Sequence, residues 1–288
     1  MRSVVVTGCG IGLGRAILER LATDGWAAVG LEIDPATAAD ANAWLAGAGH
    51  PGRVLSGDVA TIEDLEAARD AAVALAPLGG WVNNAAVVAR DSVHQPEPDA
   101  VERLIRVNLW GTYWGASTAV RTFLAQRSGG AIVNIASIHA RAGFPNWASY
   151  EMSKAGIVGL TRNLAVEYGP AGIRCNTVDP GAIWTEWNQN AVAATPDPAA
   201  AFASLEALAT LGRVGQPAEI GSAVAFLLSD EAAFINGANL AVDGGAASRA
   251  VASDIAPEIL AGRPDPEARP APEARPDPDA RPDPDARP

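Results

Sequence analysis

Cysteine, histidine and cationic charge are all scarce in this 288-residue chain, and long apolar runs are missing. Two cysteines, Cys9 and Cys175, are too few for a disulfide framework. The three histidines, His50, His94 and His139, are scattered without ligand spacing, so no metal site is expected. Lysine and arginine number 21 against 33 acids, a formal net charge of −12 that would repel nucleic acid and anionic membrane. No apolar run reaches the ~18 residues of a membrane span. Met1 and Arg2 run straight into a strand, which leaves no place for a signal peptide. The expectation is a cytoplasmic protein with neither a nucleic-acid nor a membrane partner.

Hydrophobic residues make up 49 % of the chain, enough to bury a full core. Short β-branched runs alternate with Ala/Leu-rich helical stretches. Strands are expected at Val4 to Val6, Ala27 to Ile33, Val54 to Leu55, Trp81 to Val82, Ala131 to Ile135, Ile173 to Val178 and Asn239 to Val242. Helices are expected at Gly12 to Asp24, Asp99 to Ala125, Ser149 to Tyr168 and Ala218 to Ser229. Strands separated by helices pair in parallel through right-handed crossovers. The fold class is therefore α/β: a single Rossmann-like, doubly wound parallel sheet flanked by helices, over residues 1–250.

Gly8, Gly12 and Gly14 lie between the first strand and the first helix. Glycine there lets the backbone turn tightly against a pyrophosphate, whose charge meets the helix N-terminus. Glu32 closes the second strand, 24 residues after Gly8, where a carboxylate can accept hydrogen bonds from ribose hydroxyls and repel a 2′-phosphate. Neither Ile11 nor Ile33 supplies a compensating cation, so NAD is expected rather than NADP. No redox role is expected of Cys9, a small filler in the turn.

Tyr150 and Lys154 stand four apart on one predicted helix face, and Ser137 lies thirteen residues before the tyrosine. Tyrosine is a poor base at its usual pKa of about 10. A neighbouring ammonium favours the phenolate, and Lys154 can also reach a nicotinamide ribose. Ser137, at a strand end, can hold a substrate oxygen near the phenol. Acid–base catalysis of this kind contributes on the order of 10²–10⁴-fold.

With these residues in place, the chain resembles a short-chain dehydrogenase/reductase over about Ser3 to Gly245. The likeness rests on Thr7 to Gly14, Asp58-Val59, Asn83-Asn-Ala-Ala86, Asn108, Ser137, Tyr150 with Lys154, Pro180-Gly181 with Thr185, and Val242 to Gly245. Ala86, where the family usually has glycine, and a stretch before Trp81 that is short by a residue or two are the departures. The resemblance implies that Gly10, Ile11 and Leu13 complete the cofactor turn and that Asp58 and Val59 contact adenine. It implies that Asn83, Asn84 and Ala85 support the central strand and the cofactor. It implies that Pro180, Gly181, Ile183 and Thr185 cover the nicotinamide, and that Asn108 helps hold a water relay from the lysine. It also implies a homotetramer, built largely through the helices carrying Asn108 and Tyr150.

The combined expectation is an NAD-dependent enzyme interconverting a secondary alcohol and a ketone, with Asn108, Ser137, Tyr150 and Lys154 as its catalytic set. Trp184 and Trp187 lie in an Ala/Pro-rich stretch running to Leu211, which reads as a mobile lid. They offer apolar walls for a hydrophobic or cyclic substrate, or they pack the lid on the core. Trp110 and Trp114 read as core or subunit-contact residues, and His139 as a solvated loop residue. The alternatives are a ketoreductase on acyl or polyketide substrates and a nucleotide sensor without catalysis.

Beyond about Ala261 the composition changes. Arg263-Pro-Asp-Pro-Glu-Ala268 recurs three more times, ending at Ala286, with proline at its second and fourth places. Proline blocks helix, and little here is apolar, so residues 251–288 are expected to be an extended tail with polyproline II character. A scaffold acting through this repeat would bind its partner by the tail alone. Deleting the chain from Arg263 onward should leave the melting temperature, oligomeric state and turnover near parent values. Light scattering and steady-state kinetics check this, and dissociation of the oligomer or a large change in KM would show that the tail docks.

Overall fold

Runs such as Ser3-Val-Val-Val-Thr7 have no wet face to offer, so they become strands covered on both sides. The computed structural model describes residues 1–249. Seven strands form one parallel sheet: β1 (Ser3–Thr7), β2 (Ala27–Glu32), β3 (Gly52–Ser56), β4 (Leu78–Asn83), β5 (Gly130–Ile135), β6 (Ile173–Pro180) and β7 (Asn239–Val242). Their order is β3-β2-β1-β4-β5-β6-β7. The strand order reverses between β1 and β4, and a crevice opens at the carboxyl ends of those two strands. The Rossmann-like architecture expected of the sequence is the one observed. The repeat tail lies outside the described residues.

Two cores sandwich the sheet. On one face α1 (Gly12–Thr23), α2 (Pro35–Gly47) and α9 (Pro217–Leu228) cover Val4, Val6, Val82, Val133 and Val178. On the other, α3 (Ile62–Leu75), α5 (Gly111–Gln126) and α6 (Ala148–Tyr168) cover Val5, Val29, Trp81, Ile132 and Cys175. Consecutive strand residues point to opposite cores, as the pleat requires.

Three stretches differ from the expectations. The helix expected over Asp99 to Ala125 is two helices, α4 (Pro98–Ile105) and α5, joined by a π-helical turn at Arg106–Trp110. Its wide turn surrounds Asn108, whose carbonyl accepts the Thr112 hydroxyl at 2.7 Å. Helices α2 and α3 went unread because their buried faces are mostly alanine, which gives little hydrophobic contrast; α3 buries Leu65, Ala68, Ala71 and Ala72. The Ala/Pro-rich stretch before Leu211 is helical, with α7 (Glu186–Ala193) and α8 (Pro198–Leu208). Pro198 does not break α8. It sits in the first turn, where no backbone donor is needed, after Asp197 caps the helix by accepting the Ala200 N–H. Among the described residues no helix is long and apolar enough to cross a membrane.

A polar chain crosses the second core. Trp81 Nε1 donates to Asn83 Oδ1 at 2.8 Å, Asn83 Nδ2 to Asn134 Oδ1 at 2.8 Å, and Asn134 Nδ2 to Thr161 Oγ1 at 2.9 Å. The chain ties β4 to β5 and β5 to α6, the helix that carries Tyr150. Replacing Asn134 by Ala would strand the Asn83 amide donor in a dry site. It should cost about 2–4 kcal/mol of stability in urea unfolding. A loss below ~0.5 kcal/mol would mean that this chain does not hold α6 to the sheet.

Candidate active site

At the head of β1 the chain must turn sharply between two strands. Gly8 and Gly12 take φ of +63° and +57°, which favours residues without a Cβ. A methyl group on Gly14 would collide with the Gly8 carbonyl, and one on Gly8 would lie 2.7 Å from Ala85 Cα. The turn is pinned from β4. Thr7 Oγ1 accepts the main-chain N–H groups of Asn84 at 3.0 Å and Ala85 at 3.1 Å. Asn84 Nδ2 in turn donates to the carbonyls of Thr7 and Gly8, at 3.0 and 2.8 Å.

Helix α1 starts from Ile11, which is 55 % exposed and supplies no side-chain cap. An uncapped helix start aimed into a crevice suits an anion. Buried Glu32 accepts the Gly10 N–H at 2.7 Å and the Asp34 N–H at 3.2 Å, so its carboxylate abuts the glycine turn. At the end of β3, Asp58 accepts the Ala60 N–H at 2.9 Å, and Val59 is buried against Gly111. Beyond β6, Pro180-Gly181 leads into the stretch that carries α7 and α8. Gly181 lies against Asp243, Ile183 bridges to Gly215, and Thr185 begins α7 close to Gly12. These residues sit at the carboxyl ends of β1 to β4 and β6, and the uncapped start of α1 beside the Glu32 carboxylate has the chemistry to receive a dinucleotide.

Ser137 follows β5, and Tyr150 and Lys154 stand four residues apart on α6. The Ser137 oxygen accepts the His139 N–H at 3.2 Å and lies close enough to the Tyr150 phenol to favour its ionised form. Lys154 is buried; Nζ donates to the Ile135 carbonyl at 2.9 Å and stands 5.5 Å from the Tyr150 ring centre. It is the only lysine in the chain. Fully buried Asn108 clamps Val87, accepting its N–H at 2.8 Å and donating to its carbonyl at 2.9 Å, and reaches Ser153 Oγ at 3.4 Å. The four residues singled out in the sequence thus converge from three elements.

Burial works against both charges. It pushes the Tyr150 phenol up to about 12, with Ser137 pulling the other way. It lowers Lys154 to about 8, against the pull of Asp179. Both groups are therefore mainly in their uncharged-phenol and charged-amine forms at neutral pH.

Several residues without a sequence signal complete the site. Asp91 holds the start of α6: it accepts the Ser149 N–H at 3.1 Å and the Ser149 hydroxyl at 2.7 Å, one residue before Tyr150. His139 is not the solvated residue expected. Its ring centre lies 4.1 Å from that of Phe144, 4.9 Å from Trp147 and 5.3 Å from Tyr150. Burial lowers its pKa, against the pull of Glu151, which lies 3.4 Å from Nδ1. Trp147 also meets Trp187 at 6.1 Å, while Trp184 packs on Phe202 of α8 at 4.8 Å. One tryptophan of the α7–α8 stretch therefore faces the aromatic wall, and the other packs against α8. Trp114 packs on the second core, whereas Trp110 remains 49 % exposed beside Tyr113. Only tertiary contacts reveal Asp91, because acids in loops are common.

A family model described as Enoyl-(Acyl carrier protein) reductase matches residues 8–247. The chain is 36 % identical over 248 residues to 3beta-hydroxysteroid dehydrogenase 1 of Eggerthella lenta, covering 85 % of this chain and 93 % of that protein. It is also 36 % identical over 244 residues to 2-(S)-hydroxypropyl-CoM dehydrogenase 3 of Xanthobacter autotrophicus, covering 84 % and 95 %. The crystal structure of levodione reductase superposes with a TM-score of 0.81 at 32 % identity, covering 86 % of this chain and 98 % of that one. Set beside the glycine turn at the strand reversal and the Ser137–Tyr150–Lys154 cluster, these matches assign the chain to the short-chain dehydrogenase/reductase family, whose dehydrogenases use nicotinamide cofactors, and make it an oxidoreductase.

Proposed function

We propose that the protein is an NAD-dependent alcohol dehydrogenase interconverting a secondary alcohol and a ketone, with Tyr150 as the acid/base. The observation that carries the reading is that Tyr150 has both the Ser137 hydroxyl and the buried Lys154 amine beside it. Gly8 to Gly14 and the start of α1 would hold the pyrophosphate, Glu32 the adenosine ribose, and Asp58 and Val59 the adenine. Asn84, Ala85, Pro180, Gly181, Ile183 and Thr185 would enclose the nicotinamide end, with Tyr150 and Lys154 reaching its ribose. When bound there, the oxidised cofactor supplies the hydride acceptor and a positive charge.

Ser137 donates to the substrate oxygen and holds it beside the phenol. Tyr150, as phenolate, takes the hydroxyl proton while the carbinol carbon gives up hydride, and C–O becomes C=O. Lys154 favours the phenolate by its charge, and Asn108 keeps α6 aligned with the segment after β4. Ketone reduction is the same sequence reversed. The wall of His139, Phe144, Trp147 and Trp187 favours a hydrophobic or cyclic substrate. Reductase action on acyl or polyketide ketones is a second reading, supported by the description of the matching family model. Glu32 opposes the NADPH that such reductases usually prefer.

Residues 1–250 form the catalytic unit of this reading and 251–288 a tail outside it, in a cytoplasmic homotetramer. Support for assembly comes from Trp110 and Tyr113 beside α4–α5 and from Val166 on α6, which are 49 %, 43 % and 80 % exposed.

Two measurements test the assignment. NAD should exceed NADP by at least about tenfold in kcat/KM, roughly 1.4 kcal/mol of discrimination. Glu32→Ala with Ile33→Arg should move the preference toward NADP, and equal use of both cofactors by the parent would sink the role of Glu32. Across a panel of secondary alcohols, Tyr150→Phe should retain folding and NAD binding while turnover collapses by on the order of 10²-fold or more. Lys154→Ala should weaken cofactor binding as well. Substantial turnover in Tyr150→Phe would place the base elsewhere.

A further inference from the structure

Asp179 is a carboxylate with 0 % exposure, and the chemistry just described does not use it. It lies on β6, immediately before Pro180. Along β6, Ile173 and Cys175 share the core that contains Leu164 and Tyr168 of α6, whereas Val178 belongs to the opposite core. By the two-residue alternation of a strand, Asp179 faces α6.

The helix and strand run past each other so that Thr161 stands at Cys175, both accepting from the Asn134 amide, at 2.9 and 3.6 Å. Seven residues back along α6, about 10.5 Å, is Lys154; four residues on along β6, about 13 Å, is Asp179. The two meet at the same end of the sheet. The bond from Lys154 Nζ to the Ile135 carbonyl fixes the height, because Ile135 pairs with Val178, the neighbour of Asp179.

We propose that Asp179 is a positioning residue that keeps Lys154 in its ammonium form beneath Tyr150, with Arg141 anchoring the carboxylate. Arg141 approaches Asp179 Oδ2 to 3.0 Å and donates to the Asn239 carbonyl at 2.9 Å, so it ties the turn after Ser137 to β6 and β7. Neither Asp179 oxygen receives a well-aligned hydrogen bond. A buried carboxylate so sparsely bonded is retained at a cost in desolvation, and charge pairing offsets that cost. Burial raises its pKa; Thr177, Arg141 and Lys154 hold it down. From the other side, Asp179 is the group that opposes the loss of the proton from buried Lys154.

The charged and titratable groups around Lys154 can be named element by element. The turn after Ser137 brings His139 and Arg141, α6 itself brings Tyr150 and Glu151, and β6 brings Asp179. The π turn brings Asn108, which is neutral, and β5 a carbonyl. Glu151 is engaged with His139 and with the Phe144 N–H, at 3.4 and 2.6 Å. Removing the negative charge of Asp179 makes protons easier to lose from its neighbours. The ammonium would then give way to the amine at lower pH, and an uncharged amine does not favour phenolate.

Because Lys154 is the only lysine, full-length protein grown on lysine labelled with ¹³C at Cε carries a single ammonium reporter. Its NMR titration in cofactor-free protein should give a midpoint of about 8. Asp179→Asn should lower that midpoint by about one pH unit or more, and the alkaline fall of alcohol oxidation should move down with it. A purely structural role would reduce turnover and leave both midpoints in place, which would overturn the proposal. Arg141→Met is the companion variant, needed if Asp179→Asn does not fold. Freed of its guanidinium, Asp179 should raise the Lys154 midpoint, and an unchanged or lower value would equally overturn the pairing. The direct titration needs no substrate, so its failure is separate from any failure of the dehydrogenase reading on which the role at Tyr150 rests.

Discussion

Everything in the site hangs on the seam between β1 and β4, the place where successive strands turn away from each other. Parallel strands end at the same edge, so a reversal of order leaves a cleft that no crossover covers. Such a cleft would collapse or fray unless something fixed its walls. Here the Thr7 hydroxyl and the Asn84 amide link the heads of both strands through four hydrogen bonds to backbone groups. The glycine turn is shaped against that frame, with Ala85 so close to Gly8 that no side chain fits between them.

The second constraint is electrostatic. A phenol and an amine in a dry place both prefer to be neutral, and the chemistry proposed for Tyr150 and Lys154 requires the opposite. The fold answers with groups drawn from separate elements: a serine hydroxyl after β5, a strand carbonyl at Ile135, and a carboxylate at the end of β6. None of these is adjacent in sequence to the group it acts on. Asn108 serves the same end mechanically. Its side chain closes on Val87 while the wide turn around it joins α4 to α5.

Around this centre lies a wall of aromatic rings from His139 to Trp187, reached from two directions. One part comes from the segment between Ser137 and Tyr150, the other from α7. Asp91 fastens the segment after β4 to the first turn of α6, so the wall and the catalytic helix share one support. The relatives that resemble this chain include enzymes named for a steroid and for a small coenzyme M conjugate.

The seven strands, the glycine turn and the shared helix face of Tyr150 and Lys154 were legible in the sequence because each depends on local order, whereas Asn108 was singled out only by the family resemblance. A strand buried on both faces must be apolar throughout, a tight turn at positive φ selects glycine, and a helix brings residues four apart onto one face. Helices α2 and α3 were not legible, since alanine faces give faint periodicity. Nor were α7 and α8, where proline marks a helix start that resembles a break. His139, expected in solvent, lies among rings that arrive from positions up to eleven residues along the chain. Tertiary structure alone decided that Asp91 holds Ser149, that Arg141 meets Asp179, and that the charge of Asp179 acts on Lys154. Those pairings join residues 58, 38 and 25 positions apart, as differences of residue number. Their partners are set by crossover and register across the sheet, and no spacing within a single element encodes them.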